Sequence, residues 1–284
     1  MNTMNNQKKT QIIGLITDFG ERGSHYTGAM KSVILKVLPT CRIIDLNHHV
    51  EPFSITETSF ILYYSLLDFP PQGVIVAVVD PGVGTDRDIV AVKTKSGTII
   101  IGPDNGMFSL IAARNLIEKA FIVKREHFGS VEDILSGQIS STFHGRDIMA
   151  PAGAIIVSNP TVLNKFDEKP VETLSTLIKI AEPSIQKDKI TATILYVDQF
   201  GNLVTNAVET TISEHQEFTD TVYVKFNGKM HPLKIHDTFG DIPENSLGLV
   251  RGSSGFLEIC ANQTSASHML NRKSTECIDL IFNK

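Results

Sequence analysis

Apolar residues in the first half of the chain follow two patterns in alternation. Short runs with strand-forming residues occupy residues 11–17, 42–46, 74–79, 89–94, 98–101 and 120–123. Between several of them, residues 26–38, 54–67 and 107–119 space their apolar positions as helices do; the first does so through Met30, Val33, Ile34 and Val37 and stops at Pro39. Strand–helix alternation predicts an α/β unit with a central, largely parallel sheet. The run at 74–79 has no polar alternation, so both its faces are expected to be covered, as for an interior parallel strand. Lys95-Ser96-Gly97 reads as a hairpin turn joining residues 89–94 to 98–101.

Character changes from about residue 158 to 188, where Pro160, Pro170 and Pro183 stand among lysines and glutamates. Beyond it, residues 190–197, 221–226, 247–250 and 256–261 are short strand-like runs separated by turn signals such as Asn227-Gly228, with no strong helix among them. The expected organisation is an N-terminal α/β domain over residues 8–180 and a smaller all-β, barrel-like domain over residues 188–284.

Composition narrows the function. With 284 residues, 42% hydrophobic, the chain reads as a globular protein of one large or two smaller domains. A net charge of -5 without a basic cluster argues against nucleic acid or an anionic membrane as partner. The apolar stretch Ile12–Ile16 is too short for a signal peptide or a membrane span. Cys41, Cys260 and Cys277 have neither the parity of a disulfide framework nor metal-ligand spacing, so reduced thiols and a cytoplasmic location are expected.

Candidate chemistry gathers where strands end. Asp80 closes the 74–79 run and is followed by Pro81, Gly82 and Gly84, which let the backbone turn and approach a ligand; Asp18 ends the first strand in the same way, before Gly20. In open α/β sheets ligands bind beyond the carboxyl ends of the strands. Phe143-His144-Gly145-Arg146-Asp147 sets ionisable groups at the start of a helix, where Arg146 and Asp147 could form a structural ion pair. His48 and His49, as chain neighbours, point apart and suit hydrogen-bonding loop residues better than a metal pair. Gly102-Pro103-Asp104-Asn105-Gly106 reads either as a tight turn or as part of a site. In the second half, Asp198 and Asn202 could grip the ammonium and carboxylate of an amino acid, and Arg251-Gly252-Ser253-Ser254-Gly255 is a donor-rich turn. No phosphate-binding fingerprint occurs.

Taken together, LITDFG, YTGAMKSVI, IDLNHHVEP, VVDPGVGTDR, PDNGMFS, STFHGRDIMAP, VDQFGNLVTN and SSGFLEI, in that order and across nearly the whole chain, resemble the S-adenosylmethionine hydroxide adenosyltransferases, relatives of enzymes that fluorinate or chlorinate the same substrate. The resemblance implies hydrolysis of S-adenosyl-L-methionine to adenosine and L-methionine, with no cofactor and no metal. It implies a homotrimer whose active sites lie between the N-terminal domain of one subunit and the C-terminal domain of the next. It assigns Asp80, Arg87 and His144 to the attacking water. Arg87 would favour its anionic form, while Asp80 and His144 would orient it and accept its proton. It also assigns Asp18 to the ribose hydroxyls, Asp198 and Asn202 to the amino-acid end, Ser253 to its carboxylate, and Phe239 to the adenine. The halogenating relatives carry tyrosine where Asp80 stands and serine where Gly145 stands, which points here to water as the nucleophile. This chain departs from the pattern at Ser24-His25, Asp88 and Ser254. A metal-dependent hydrolase using Asp18, Asp80, Asp147 and a histidine, or a non-catalytic nucleoside or S-adenosylmethionine sensor, are the alternatives from other classes.

Overall fold

The computed structural model describes residues 11–135, 137–213, 221–226 and 229–282, and the chain divides into two compact units, Met1–Ser175 and Thr176–Lys284. The turn signal Asn227-Gly228 lies outside the described residues.

In the first unit the chain runs β1 (Ile12–Thr17), α1 (Ser24–Val37), β2 (Arg42–Asn47), α2 (Ile55–Asp68), β3 (Val74–Val78), β4 (Ile89–Thr94), β5 (Ile99–Pro103), α3 (Ser109–Ala113), β6 (Ile117–Ile122), α4 (Ala150–Ser158) and β7 (Glu168–Lys169). These strands form one sheet in the order β2-β1-β3-β5-β4-β6-β7. β1, β2, β3 and β5 are mutually parallel; β4 pairs antiparallel with β5 and β6, so β6 also runs with the majority and only β4 and β7 oppose it. β3 has parallel neighbours on both sides, and Val74 to Ala77 are all 0% exposed, which explains the absence of polar alternation. α1 and α4 cover one face, where Ile13, Leu15, Val74 and Val76 meet Met30, Ile34, Ala152 and Ile156. Full burial of each of these side chains other than that of Ala152 contributes about 1.5–3 kcal/mol. On the opposite face Ile16, Ile75 and Ile100 are equally buried, and Ser59 of α2 accepts a hydrogen bond from the Leu110 amide of α3 at 3.2 Å.

The helix expected over residues 107–119 is corrected by the structure. α3 ends at Ala113, Asn115 turns the chain with φ 53°, and Ile117–Ile122 joins the sheet beside β4. Charges that read as a polar helix face serve instead as cross-strand partners: Lys93 to Glu118 at 2.8 Å and Lys119 to Glu168 at 2.9 Å.

The second unit contains α5 (Ile178–Ala181), β8 (Ser184–Ile185), β9 (Lys189–Val197), β10 (Leu203–Thr205), α6 (Glu209–Ser213), β11 (Thr221–Phe226), β12 (Lys229–His236), β13 (Leu247–Arg251), β14 (Leu257–Ala261), α7 (Ala266–Leu270) and β15 (Cys277–Ile281). The order β10-β14-β13-β12-β11-β15-β9 closes on itself through β9–β10 pairing, giving a seven-stranded barrel with β8 attached outside the ring. Every second residue points inward: Ile190, Ala192 and Ile194 on β9, Leu257 and Ile259 on β14, Ile278 and Leu280 on β15. β10, β12 and β15 were not among the strands expected from the sequence; β12 carries a proline and β10 is only three residues long. Among the described residues, no helix is long and apolar enough to cross a membrane.

Candidate active site

Three segments bring the first cluster together. Asp80 follows β3, Arg87 ends the loop that leads to β4, and His144 precedes a single π turn, Gly145–Met149, that runs into α4. Gly84 sits at φ 82° within the loop, as its turn requires. Arg87 reaches back across seven residues: its Nε donates to Asp80 Oδ1 at 2.8 Å and Oδ2 at 3.0 Å, and its Nη2 also donates to Oδ2. The same Nη2 lies 3.0 Å from His144 Nδ1. The Asp80 and Arg87 side chains are only 5% and 10% exposed, so the fork is a buried, doubly hydrogen-bonded ion pair.

A guanidinium only donates, so His144 Nδ1 accepts from Arg87 and, in the neutral ring, the proton is on Nε2. Burial, followed by the nearby Arg87 charge, holds the His144 pKa below its ordinary value and favours that neutral ring. Gly145 permits this packing, because a Cβ there would stand 2.8 Å from Val78 Cγ1 on the central strand. A trio of aromatic rings supports the segment: Phe143 lies 5.3 Å from Tyr26 and 6.0 Å from Phe19 between centroids, and Phe19 lies 5.5 Å from Tyr26. Sequence reasoning missed this trio, since its members come from three distant segments and no periodicity links them.

Asp18, at the end of β1, is half-buried and accepts a hydrogen bond from the Phe53 amide at 3.0 Å. Burial is the main cause raising its pKa, and the Asp80 charge adds to it, so the two acids share one electrostatic neighbourhood. His48 secures the adjoining loop through Thr17 Oγ1 at 2.9 Å and Asp45 Oδ1 at 3.0 Å, while its carbonyl accepts from the Gly20 amide at 2.7 Å. Asp104 and Asn105 act structurally: Asn105 donates to the Val79 carbonyl at 3.0 Å, and Lys169 bridges Asp104 and Asp88 at 3.1 and 2.8 Å. Arg146 pairs with Asp147 at 2.6 Å, and the Ser140 amide donates to Asp147 at 2.8 Å. Asp80 and Asp147 are thus held by arginines, and no three His, Cys, Asp or Glu side chains converge as metal ligands would among the described residues.

In the second unit Asp198 and Asn202 are directly bonded. Asp198 accepts from the amides of Phe200 and Asn202 and from Asn202 Nδ2, each at 2.9 Å, closing the turn between β9 and β10. Ser253 is exposed in the loop between β13 and β14, whereas Ser254 beside it is 4% exposed. Phe239 stands on a short turn, 47% exposed, an apolar ring open to a flat partner.

Residues 13–165 match the SAM hydroxide adenosyltransferase N-terminal domain, and residues 192–278 its C-terminal domain. The (R)-S-adenosyl-L-methionine hydrolase of Methanocaldococcus jannaschii is 34% identical, aligned over 95% of this chain and 96% of its own length. A fluorinase of Nocardia brasiliensis is 22% identical over 96% of this chain and 97% of its own. Among solved structures, an uncharacterized conserved protein from Thermotoga maritima superposes with a TM-score of 0.83 at 34% identity, covering 95% of this chain and 99% of that one. Both units, in order and nearly end to end, therefore agree, and the chain belongs to the SAM hydroxide adenosyltransferase family.

Proposed function

We propose that this protein hydrolyses S-adenosyl-L-methionine to adenosine and L-methionine by in-line attack of water on the 5′-carbon. The observation that carries the reading is the buried fork of Arg87 between Asp80 and His144. Relatives of similar length bearing the name (R)-S-adenosyl-L-methionine hydrolase support it.

In this reading a C–O bond forms as the C–S bond breaks; the sulfonium takes the bonding pair and leaves as the neutral thioether of methionine, so no general acid is needed. The task is to orient a water and stabilise developing hydroxide in a desolvated place. Arg87 supplies the positive charge. His144, with Nδ1 committed to Arg87, offers Nε2–H to the water oxygen and sets its direction, which leaves Asp80 as the acceptor for the departing proton. Asp18 receives the ribose hydroxyls, Asp198 and Asn202 the amino-acid end, Ser253 its carboxylate, and Phe239 stacks on adenine. The reaction takes no cofactor and no metal. The working form is a cytoplasmic homotrimer in which each active site joins the first unit of one subunit to the second unit of its neighbour; a monomer with full activity would refute that part.

Turnover in heavy-oxygen water tests the reaction type. The label is expected in the 5′-hydroxyl of adenosine and absent from methionine, with chelators without effect and no halonucleoside formed from chloride or fluoride. A strict metal requirement, a halonucleoside, or binding without turnover would each overturn the reading.

A further inference from the structure

Asp18 is flanked by two backbone conformations that a chain adopts only under constraint. Two residues after it, Gly20 has φ 62° and ψ -173°, a region that only glycine occupies readily. Phe53, whose amide donates to Asp18 Oδ2 at 3.0 Å, has φ 67°, which is uncommon for a bulky side chain. Such conformations persist where the surroundings fix them, and here one residue stitches the two segments together. The His48 carbonyl accepts from the Gly20 amide at 2.7 Å, and its ring Nδ1 lies 2.9 Å from Oγ1 of Thr17, the residue before Asp18. Beyond Val50 the same stretch is anchored again, since the buried carboxylate of Glu57 accepts from the Glu51 amide at 3.0 Å.

Asp45 sets the direction of these hydrogen bonds. Its carboxylate, paired with Lys31 of α1 at 2.7 Å, only accepts, so His48 Nε2 donates to Asp45 Oδ1 at 3.0 Å and, in the neutral ring, Nδ1 accepts the Thr17 hydroxyl proton. Thr17 Oγ1 keeps a lone pair for the Phe19 amide at 3.4 Å. Hydroxyl, imidazole and carboxylate stand in the order of a nucleophile, its base and an orienting acid. Thr17 is 0% exposed, however, and a hydroxyl closed to solvent offers a substrate no approach. The row therefore holds rather than attacks, and what it holds is Asp18. The hydroxyl before that residue and both amides after it are engaged by Thr17 and His48, while the Phe53 amide fixes one of its carboxylate oxygens.

We propose that His48 is a positioning residue for ribose recognition: through Thr17 and Gly20 it fixes the direction in which Asp18 presents its carboxylate to the two ribose hydroxyls, and so sets the preference for a ribose diol over a deoxyribose. The inference rests on the place of Asp18 at the ribose in the S-adenosylmethionine reading. A ligand with both hydroxyls gains from a carboxylate that is already aimed; a ligand without them gains nothing from it.

Adenosine and 2′,3′-dideoxyadenosine, titrated calorimetrically into the full-length protein, read this preference apart from turnover. His48→Ala is expected to weaken adenosine roughly tenfold, as for a misaimed hydrogen bond to a charged group, and dideoxyadenosine by less than about twofold. KM for S-adenosylmethionine should rise by a similar factor, with kcat changed far less. His48→Asn, which restores an acceptor toward Thr17, should recover part of the adenosine affinity. Thr17→Val keeps the buried shape and removes only the hydroxyl; it should lose the same preference, and it carries the test if His48→Ala folds poorly. Equal weakening of both nucleosides would overturn the assignment, because general loosening of the site acts that way. So would adenosine affinity unchanged in Thr17→Val and His48→Ala. A wild type that prefers adenosine over dideoxyadenosine yet leaves bound S-adenosylmethionine intact would reject the hydrolase reading and keep the role of His48, so the two failures are distinguishable.

Discussion

Replacing Arg87 by methionine removes the guanidinium but leaves a side chain of comparable length. Asp80, 5% exposed in its side chain, then keeps a carboxylate with no cation against it, and His144 Nδ1 loses its donor. Breaking a buried ion pair from one side costs about 3–5 kcal/mol, because the surviving charge stays uncompensated. At roughly 2–4 °C per kcal/mol for a unit of 150–250 residues, the melting temperature should fall by about 6–20 °C. The double variant Asp80→Asn/Arg87→Met removes the orphaned charge and should recover most of that loss, whereas turnover should stay depressed by at least about two orders of magnitude in each single variant and in the double. Thermal melts of the four proteins at one pH and salt concentration, paired with adenosine release, measure both effects. A single Arg87→Met that melts within about 1 °C of wild type would refute the reasoning, since that is the behaviour of an exposed pair.

Two further variants test how His144 is held. His144→Gln retains a donor where Nε2–H faces the water, while His144→Asn retains only an acceptor toward Arg87; the glutamine variant should turn over at least about tenfold faster, and equal loss in both, beyond about a thousandfold, would make His144 the base. Since its folded pKa lies below the ordinary 6.5, the unfolded chain binds that proton first as pH falls; the stability it contributes is present above about 6.5 and lost below, and denaturation midpoints at pH 7.5 and 5.5 should differ less in His144→Gln than in wild type. Gly145→Ala puts a methyl group 2.8 Å from Val78 Cγ1, which should cost about 1–3 kcal/mol in denaturant unfolding and lower turnover through the displaced His144; wild-type behaviour in both would show that the helix and strand are not packed this tightly.

Strands were legible in the sequence where burial is written into the local pattern: Val74 to Val79 shows burial of both faces in its unbroken apolar composition, and the barrel strand Lys189–Val197 shows its inward face in the apolar positions Ile190, Ala192 and Ile194. Legibility fails where pairing overrides local pattern. Residues 117–119 look helical because Glu118 and Lys119 continue the spacing of the residues before them, and only their partners on neighbouring strands make them part of the strand that residues 120–123 announce. Within the site, Asp80 and Asp18 are visible as acids at strand ends, but that Arg87 links Asp80 to His144 is a contact spanning 57 residues which no spacing encodes.

Barrel closure sets the order in which the second unit can be completed. β15 stands between β11 and β9, pairing Ile278 with Ala192 and Tyr223 with Ile281, although it is the last strand along the chain. Until residues 277–281 leave the ribosome, β9 and β11 each present an unpaired edge, and loop-closure entropy across nearly the whole unit opposes the final ring. The Asp198–Asn202 turn sits on the seam where β9 meets β10, so the binding loops acquire a fixed frame only once β15 has joined the ring. Nascent chains stalled just short of β15 should therefore be the aggregation-prone species of this protein, sticky at two edges that the finished ring abolishes.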